Sequence, residues 1–296
     1  MSAVLDTPVA AVLARHRARW RGRLEIFPGG AFDERSTILT LPGLVAQAYP
    51  PIAQWKLDEV TVALSLFSDG IVAYDDIIDC APYDPGEVRR LPHVAVLFSQ
   101  AYRSFAELFG GAPWFWDRVE ECFIDYVDAL SAEARYATSD VPWQSFDEAQ
   151  LLAIVRGKNG LVRLVDVAVA ALAGERAGRG LDTVLLDGFV AHQMVDDLRD
   201  WREDLRDGNP SLLLCRACRS KPSRDDAEAI GRRLYLDGHA EFVLRLAERT
   251  LQSAGDAAVA AGAPAFGAAL ATRNDRIRQL RARVQAEVIA LLAGLP

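Results

Sequence analysis

The chain has 296 residues, a formal net charge of -8 and 51% hydrophobic side chains. This length and composition suit a packed protein of one large or two ordinary domains and argue against disorder. The acidic balance excludes the basic footprint of a nucleic-acid-binding protein. The opening residues lack a secretory-signal pattern, no apolar run is long enough to span a membrane, and the 4 cysteines are scattered, so we expect a cytoplasmic protein.

Apolar residues recur at intervals of three and four along almost the whole chain, which predicts helices rather than strands. Stretches rich in Gly, Pro, Asp, Asn and Ser separate the periodic segments and mark turns. The predicted helices cover residues 7–22, 41–50, 56–79, 93–110, 114–136, 146–173, 182–206, 225–254 and 264–293. Several are apolar on most faces, which is typical of helices in the middle of a bundle. We predict an all-α fold with residues 1–296 in a single domain, in which residues 1–36 supply an N-terminal helix and loop that could cap a site.

The stretch "IVAYDDIIDC" (71–80) places three carboxylates inside an apolar helix. Asp75 and Asp79 are four residues apart and share one helix face, with Asp76 beside them. Like charges this close repel one another, and burying them without a partner is costly. The pattern therefore predicts a positive partner opposite the cluster.

A second acidic cluster lies in "HQMVDDLRDWREDLRD" (192–207), about 120 residues later. Asp196, Asp200 and Asp204 are spaced four and four and stack along one helix face, with Asp197 adjacent. A solvated helix end would explain the charges of residues 199–207 alone. It does not explain two DDxxD pentads that each follow an apolar run, so we favour metal binding.

The residue types indicate which metal the clusters would hold. Hard dications prefer oxygen ligands, and Mg²⁺ is bound by one or two carboxylates together with water and phosphate oxygens. The sequence has no His and Cys set of the kind that binds zinc. Two carboxylate walls could hold several Mg²⁺ ions that grip a diphosphate and stabilise it as a leaving group, so that an allylic substrate would ionise to a carbocation.

The segments "YDDIID" and "HQMVDDLRDWRED" resemble the two metal motifs of class I isoprenoid enzymes, which comprise trans-prenyl diphosphate synthases and class I terpene synthases. The resemblance covers nearly the whole chain. It implies a single catalytic domain with the class I terpenoid synthase-like helical bundle and a central active-site cavity. It also implies three Mg²⁺ ions, a prenyl diphosphate substrate and a homodimer. The implied metal ligands are Asp75, Asp76, Asp79, Asp196, Asp197, Asp200 and Asp204.

The second motif fits both branches of this group. In prenyl synthases it reads DDxxD, which Asp196, Asp197 and Asp200 match, and Gln193 matches the glutamine that usually precedes it. In terpene synthases it is a triad spaced four and four. Asp196, Asp200 and Asp204 have this spacing, with Asp in place of the usual Ser or Thr and Glu.

Chain elongation needs a separate cationic site for isopentenyl diphosphate, and only part of its signature is present. Prenyl synthases carry a GGKxRP-like segment, but here Gly29-Gly30 is followed by Ala31-Phe32-Asp33. An Arg89-Arg90 pair follows the first motif, as in prenyl synthases, and it could equally be a solvated helix start. A second diphosphate would be poorly held without the N-terminal cations. We therefore expect a terpene synthase, with a trans-prenyltransferase as the alternative.

The segment "VRGKNGLVR" (155–163) supplies candidate contacts to the diphosphate. Lys158 lies where prenyl synthases carry a diphosphate-binding lysine, and Arg156 and Arg163 are candidates for a cyclase-type diphosphate sensor. The other interpretation is a helix kink whose cations reach to water. Near the C-terminus, "ATRNDRIRQLR" resembles the closing segment of cyclases, and Arg276 is the candidate there with Arg273 in reserve.

The substrate length and a further class of function stay open. Gly70 and Ile71 precede Asp75 by one turn, where prenyl synthases hold the growing chain, and the small Gly70 predicts room for a C15 or C20 substrate, or one of the copalyl type. A non-catalytic regulatory subunit of a prenyl synthase is the third alternative. The intact acidic motifs argue against it, because a protein that only binds a partner does not need them.

Overall fold

The computed structural model describes residues 37–79, 90–138, 143–176, 178–218 and 226–293. Every regular element in these ranges is helical, which confirms the predicted all-α class. The α-helices are α1 (Leu41–Val45), α2 (Gln54–Asp79), α3 (Leu91–Phe109), α4 (Pro113–Thr138), α5 (Glu148–Lys158), α6 (Leu164–Leu172), α7 (Leu181–Asp207), α8 (Leu212–Ala217), α9 (Ala227–Leu236), α10 (His239–Ala260) and α11 (Pro264–Ala293). Short 3-10 turns cover Thr37–Leu39, Ala46–Ala48, Trp143–Ser145 and Gly160–Arg163. The predicted helix at 7–22 lies outside the described residues.

The chain divides into two compact units. The first comprises the residues up to Arg118 together with Leu164–Arg179, and the second comprises Val119–Arg163 and the residues from Gly180 onward. The division therefore falls inside α4. The single domain expected over residues 1–296 stays a prediction.

In the first unit, α2 is the central helix, and α1, α3 and α6 pack against it. Its middle turns are buried on all sides, including the polar residues Asp58, Thr61 and Ser65, which recur at intervals of three and four. The buried side chains here include Val60, Val62, Ala63, Leu64, Leu66 and Phe67.

Aromatic rings fill the contact between α2 and α3. Phe67 meets Phe98 edge-on with ring centroids 5.5 Å apart, and Tyr102 in the same way at 6.2 Å. Gly70 lies one turn further along α2, and a Cβ placed there would come within 3.0 Å of the Phe98 ring. The room left by the missing side chain is thus taken by Phe98, rather than left open for a hydrocarbon as we expected.

A buried hydrogen-bond network ties α6 to the segment that precedes α2. The Tyr49 hydroxyl donates to the Asp166 carboxylate at 2.5 Å, and the Arg179 backbone N–H donates to the same hydroxyl at 2.9 Å. Asp166 is fully buried. Burial, with the neighbouring carboxylate, raises the pKa of Tyr49, so the phenol stays a donor at neutral pH.

In the second unit, α7 is the central helix, and α5, α8 and α10 pack against it, while α10 also packs along α11. Glycines in the left-handed conformation bound α7, with φ of 80° at Gly180 and 79° at Gly208. A Cβ at Gly188 of α7 would lie 3.3 Å from a methyl group of Leu270 on α11, so the missing side chain leaves room for Leu270.

The structure divides two helices that the sequence predicted as continuous. Residues 146–173 form α5, a 3-10 turn and α6, because the helix stops at Lys158 and resumes after Gly160–Arg163. Residues 225–254 are interrupted at Gly238, whose φ of 78° ends one helix and begins the next. Helix α8 was not predicted, whereas the prediction for 264–293 is confirmed by α11.

In the ranges that the structure describes, no helix combines the length and the apolar character needed to cross a bilayer.

Candidate metal and diphosphate site

The first acidic cluster occupies the last turns of α2, in the first unit. Asp76 accepts a hydrogen bond from Nη2 of Arg90 at 3.0 Å, and the two side chains are 51% and 41% exposed. Val72 and Ile78 beside the cluster are 57% and 46% exposed. This end of α2 is therefore open to solvent, although its apolar sequence suggested burial. Asp79 is the last residue of the helix, and its side chain lies outside the part of the chain that the structure describes.

Asp69 is a carboxylate of the same helix that the sequence analysis did not single out. Its Oδ2 is buried and has no hydrogen-bond partner among the described residues. Burial raises the pKa of Asp69 to about 7. Asp69 lies seven residues before Asp76, so one face of α2 carries a half-buried carboxylate and an exposed one.

The second acidic cluster lies on α7, in the second unit, and is more buried. Asp197 is only 7% exposed and accepts a hydrogen bond from Nε2 of Gln193 at 2.8 Å. Burial raises the pKa of Asp197 to about 6, against the opposing effects of Gln193 and Lys158. Burial, together with the charges of Asp197 and Asp200, raises the pKa of Asp204 to about 7. The α7 face thus carries more negative charge than its surroundings balance.

Asp196 has partners on its own helix. It accepts a hydrogen bond from Nη1 of Arg199 at 3.0 Å, and Nε2 of His192 lies 3.4 Å from its other oxygen. Asp200 is exposed one turn further along α7. The predicted ligands Asp196, Asp200 and Asp204 therefore share one helix face, as their spacing indicated, but Asp200 is exposed whereas Asp196 and Asp204 are half-buried.

Lys158 is the last residue of α5, and its charge acts on two carboxylates of this cluster. Its charge lowers the pKa of both Asp197 and Asp204. Its Nζ donates to both carboxylate oxygens of Glu133 on α4, each at 2.8 Å. The predicted diphosphate-binding lysine is therefore near the α7 carboxylates and is held by an additional acid from another helix.

The two predicted arginines beside Lys158 each form a short ion pair. Arg156 donates to Asp187 of α7 at 2.6 Å, and Arg163 donates to Asp125 of α4 at 2.5 Å. Both line a cavity of about 540 Å³, whose wall is mostly apolar. The other lining residues include Ala129, Ala132, Tyr136, Gln150, Ala153, Ile154 and Leu186. These carboxylate partners reduce the positive charge that either arginine can offer to an anion.

The C-terminal candidate Arg276 is exposed on α11, whereas the reserve candidate Arg273 is half-buried. Burial and the charge of Arg276 lower the pKa of Arg273. The role of Arg276 in binding substrate stays a prediction.

The donor set on α7 fits magnesium, although it is not a closed metal cage. Among the described residues, no three His, Cys, Asp or Glu side chains form a group that could hold a metal ion by themselves. All the α7 donors are carboxylates, and Mg²⁺ is usually held by one or two carboxylates, with water and phosphate oxygens completing its shell. Nearby cations do not fully balance the negative charge of Asp197 and Asp204. This charge suits a Mg²⁺ ion that is held by only one or two carboxylates.

No known family model and no curated protein matches the sequence. Solved structures do match. The chain is similar to a polyprenyl synthase of Caulobacter crescentus CB15, whose structure contains calcium and isoprenyl diphosphate, with a TM-score of 0.68 and 15% identity over 88% of this chain and 93% of that one. This is the class I isoprenoid synthase fold. The fold recurs in a geranyltranstransferase of Thermotoga maritima (TM-score 0.66, 14% identity, 91% and 97% covered) and a geranylgeranyl pyrophosphate synthase of Lactobacillus brevis (0.66, 15%, 94% and 96%).

The match to these structures confirms the all-α class I terpenoid synthase-like fold that the resemblance implied. Lys158 and Gln193 were predicted from the sequence, whereas the carboxylates that pair with the three cations of residues 155–163 were not: Glu133, Asp125 and Asp187. No local signal marks these acids, because each comes from a helix distant in the sequence from its partner.

Proposed function

We propose that the protein is a Mg²⁺-dependent isoprenoid synthase that ionises an allylic prenyl diphosphate. The observation that carries the proposal is the α7 face, where the buried Asp197 and the half-buried Asp204 keep raised pKa values even with Lys158 nearby. Buried carboxylates of this kind require additional positive charge. Bound Mg²⁺ would supply that charge and stabilise the departing diphosphate.

In this proposal the two acidic clusters provide the metal ligands, and Gln193 orients Asp197 through their 2.8 Å hydrogen bond. The proposed ligands are Asp75, Asp76, Asp79, Asp196, Asp197, Asp200 and Asp204. Three Mg²⁺ ions are expected from the resemblance described above. The protein's own contribution is to hold the carboxylates on rigid helices, so that little reorganisation is needed when charge develops on the leaving group.

Lys158 is the leading candidate for direct contact with the diphosphate, because its ammonium offers three donors beside the acidic face. All three cations of this segment are paired with acids, but the charge of Lys158 also acts on Asp197 and Asp204, so Arg156 and Arg163 are weaker candidates. Arg276 remains the candidate from the C-terminal helix.

Our first candidate for the reaction of the carbocation is condensation with isopentenyl diphosphate. The solved structures with this fold that are described above carry the names of a polyprenyl synthase, a geranyltranstransferase and a geranylgeranyl pyrophosphate synthase. All three names denote chain elongation, and this favours a trans-prenyltransferase over the cyclase that the sequence alone suggested.

Terpene synthesis is the second candidate, and a specific observation of the sequence favours it. The Lys and Arg expected after Gly29-Gly30 are missing, and Asp196, Asp200 and Asp204 have the four-and-four spacing of the cyclase motif. Residues 29–33 and Arg89 lie outside the described residues, and Arg90 is bonded to Asp76.

One experiment separates the candidates. The purified protein is incubated with Mg²⁺ and geranyl, farnesyl, geranylgeranyl or copalyl diphosphate, with and without isopentenyl diphosphate. We expect pyrophosphate release and longer prenyl diphosphates only when isopentenyl diphosphate is present. Hydrocarbons or alcohols without it would identify a terpene synthase. No pyrophosphate release from any substrate would reject the proposal and favour a non-catalytic subunit.

A further inference from the structure

The cavity of about 540 Å³ has no part in the function proposed so far. It is a groove between α4 and α5, and the described residues that line it include none of the acids of the two metal motifs. From α7 it is lined by Leu186, which lies ten residues, or about 15 Å along the helix, before Asp196. We call it the α4–α5 groove, and it is separate from the α7 carboxylates.

Small side chains leave the α4–α5 groove unfilled. A Cβ on Gly157 would lie 2.5 Å from the Cβ of Ala129, so α5 rests directly on α4 at this point. Next to this contact, Ala132 of α4 and Ala153 of α5 line the groove, and neither is long enough to close it. Ala129 and Leu186 are only 6% and 8% exposed, whereas Ala153 is exposed. The groove thus has a buried apolar floor and a mouth that opens to solvent.

One end of the α4–α5 groove is polar but carries no charge. There the Tyr136 hydroxyl donates to Oε1 of Gln150 at 2.7 Å, and the Gln150 nitrogen can donate to a further acceptor. Tyr136 lies eleven residues after Asp125, so the α4 side of the groove is about 16 Å long. A long apolar slot with a hydrogen-bonding end suits a hydrocarbon chain that ends in a hydroxyl or carbonyl group.

The charges at the other end of the groove cancel one another. Arg156 donates to Asp187 at 2.6 Å, and Arg163 donates to Asp125 at 2.5 Å. With Asp128, the lining residues comprise two arginines and two acids, and Asp187 adds a third acid beside Arg156. An anionic head group would have to break an ion pair and lie close to these carboxylates, and both are costly. The groove therefore favours an uncharged ligand over a phosphate or a diphosphate.

We propose that the α4–α5 groove is a second binding site, which takes an uncharged molecule with a hydrocarbon chain and a terminal hydroxyl or carbonyl group. The polar group lies against Tyr136 and Gln150, and the chain follows Ala132 and Ala153 toward Leu186. This site goes beyond the proposed function and does not depend on it, because the chemistry of the groove is that of its own lining residues.

Isothermal titration calorimetry of the intact protein tests the site with three probes, which are dodecanol, farnesol and dodecyl phosphate. Ala132→Phe places a ring inside the groove. Ala134→Phe makes the same change at an exposed position of the same helix and is the matched control. Thermal midpoints establish that each variant is folded. Ala153→Phe, which fills the groove from α5, replaces Ala132→Phe if the latter is not.

We expect both alcohols to bind the wild type saturably. Ala132→Phe should weaken their binding at least about tenfold, because the ring occupies the space of the chain. Ala134→Phe should stay within about twofold of the wild type, as a substitution on the surface. Dodecyl phosphate should bind about tenfold more weakly than dodecanol, because its charge meets the carboxylates of the groove. The tighter of the two alcohols shows whether the chain is branched, as in prenyl compounds, or linear.

Three results would overturn the inference: no saturable binding of either alcohol, equal losses in Ala132→Phe and Ala134→Phe, or tighter binding of dodecyl phosphate than of dodecanol. A saturating mixture of Mg²⁺ and pyrophosphate should leave the affinity for dodecanol unchanged. Displacement of dodecanol by this mixture would place the alcohol in the diphosphate site and would also overturn the inference. None of these results bears on the proposed function, which pyrophosphate release tests separately.

Discussion

The two acidic clusters have the same DDxxD letters but lie in different physical surroundings. At the end of α2, Asp76 is half exposed and bonded to Arg90, with Val72 and Ile78 open to solvent beside it. On α7, Asp197 is buried, hydrogen-bonded to Gln193 and influenced by Lys158. Spacing alone places carboxylates on a common helix face, whereas burial determines how strongly they need a cation.

This difference predicts that the two clusters divide metal binding and catalysis unequally, which we call their division of labour. An exposed carboxylate is already stabilised by water, so removing its partner changes the energy little. Buried carboxylates that repel each other gain far more from a bound cation. We therefore expect α7 to dominate the binding of Mg²⁺ and pyrophosphate, and the end of α2 to matter mainly in catalysis, when charge develops on the leaving group.

The largest expected effect concerns catalysis, where both clusters should be needed. Asp75→Ala and Asp200→Ala should each lower the rate of pyrophosphate release by about 10³-fold, because each removes a group that stabilises charge on the leaving group. The rate is measured with saturating Mg²⁺ and the best allylic diphosphate. Asp117→Ala, an exposed acid of α4, is the control and should leave the rate unchanged. If Asp75→Ala were as active as the control, the α2 cluster would be only a solvated helix end.

The next-largest effect is on the free energy of unfolding, and it distinguishes two carboxylates on one face of α2. Because burial raises the pKa of Asp69 to about 7, the folded protein favours its protonated form. The stability that this group contributes is fully present below about pH 4 and is lost as the pH rises through 7. Each pKa unit corresponds to about 1.4 kcal/mol, so Asp69→Asn should raise the free energy of unfolding at pH 8 by up to about 4 kcal/mol, and by much less at pH 5.

Urea unfolding at both pH values, in the presence of a chelator, measures this difference. Asp76→Asn is the matched control, since it makes the same chemical change seven residues along the helix at an exposed position. Its effect should stay within about 1 kcal/mol at either pH. Equal effects of the two substitutions would show that Asp69 is solvated, and the contrast within α2 would then be wrong.

The sequence was sufficient to predict most helices but not the positions at which they are interrupted. Helix α11 has the predicted bounds of 264–293, and α7 differs from its prediction by one residue at each end, because long stretches of three-and-four periodicity leave little freedom. The interruption at Gly238 was missed because periodicity does not reveal which glycine adopts a positive φ. A helix kink was one interpretation of residues 155–163, but the 3-10 turn at Gly160–Arg163 was not predicted.

The partners of the site residues were harder to predict than the residues themselves. Helical spacing shows which side chains share a face, and the resemblance of the second motif pointed to Gln193, which donates a hydrogen bond to Asp197. Glu133, Asp187 and Asp125 reach their cations across sequence separations of 25 to 38 residues, which only the packing of different helices determines. Asp69 was overlooked because a single acid in an apolar run has no pattern.

The third effect concerns stabilisation by ligand. Mg²⁺ with pyrophosphate should stabilise the wild type by about 2.7 kcal/mol at a hundredfold excess over the dissociation constant, because the ligands bind the folded state only. Asp204→Asn should abolish this gain, whereas Asp76→Asn should keep most of it. Thermal midpoints with and without the two ligands measure both, and Mg²⁺ with sulfate serves as the control. Equal losses in both variants would contradict the division of labour between the clusters.

The smallest effect concerns the Arg90–Asp76 pair, whose 3.0 Å contact lies in a half-exposed position. Arg90→Gln should cost less than about 1 kcal/mol of unfolding free energy in dilute buffer. That cost should nearly vanish in about 1 M NaCl, where the Debye length falls to about 3 Å. Urea unfolding at the two salt concentrations measures it, with Arg103→Gln, from an exposed pair within α3, as the control. A cost of several kcal/mol that salt did not reduce would mean that water does not reach this pair, and the α2 cluster would then resemble the α7 cluster in its need for a cation.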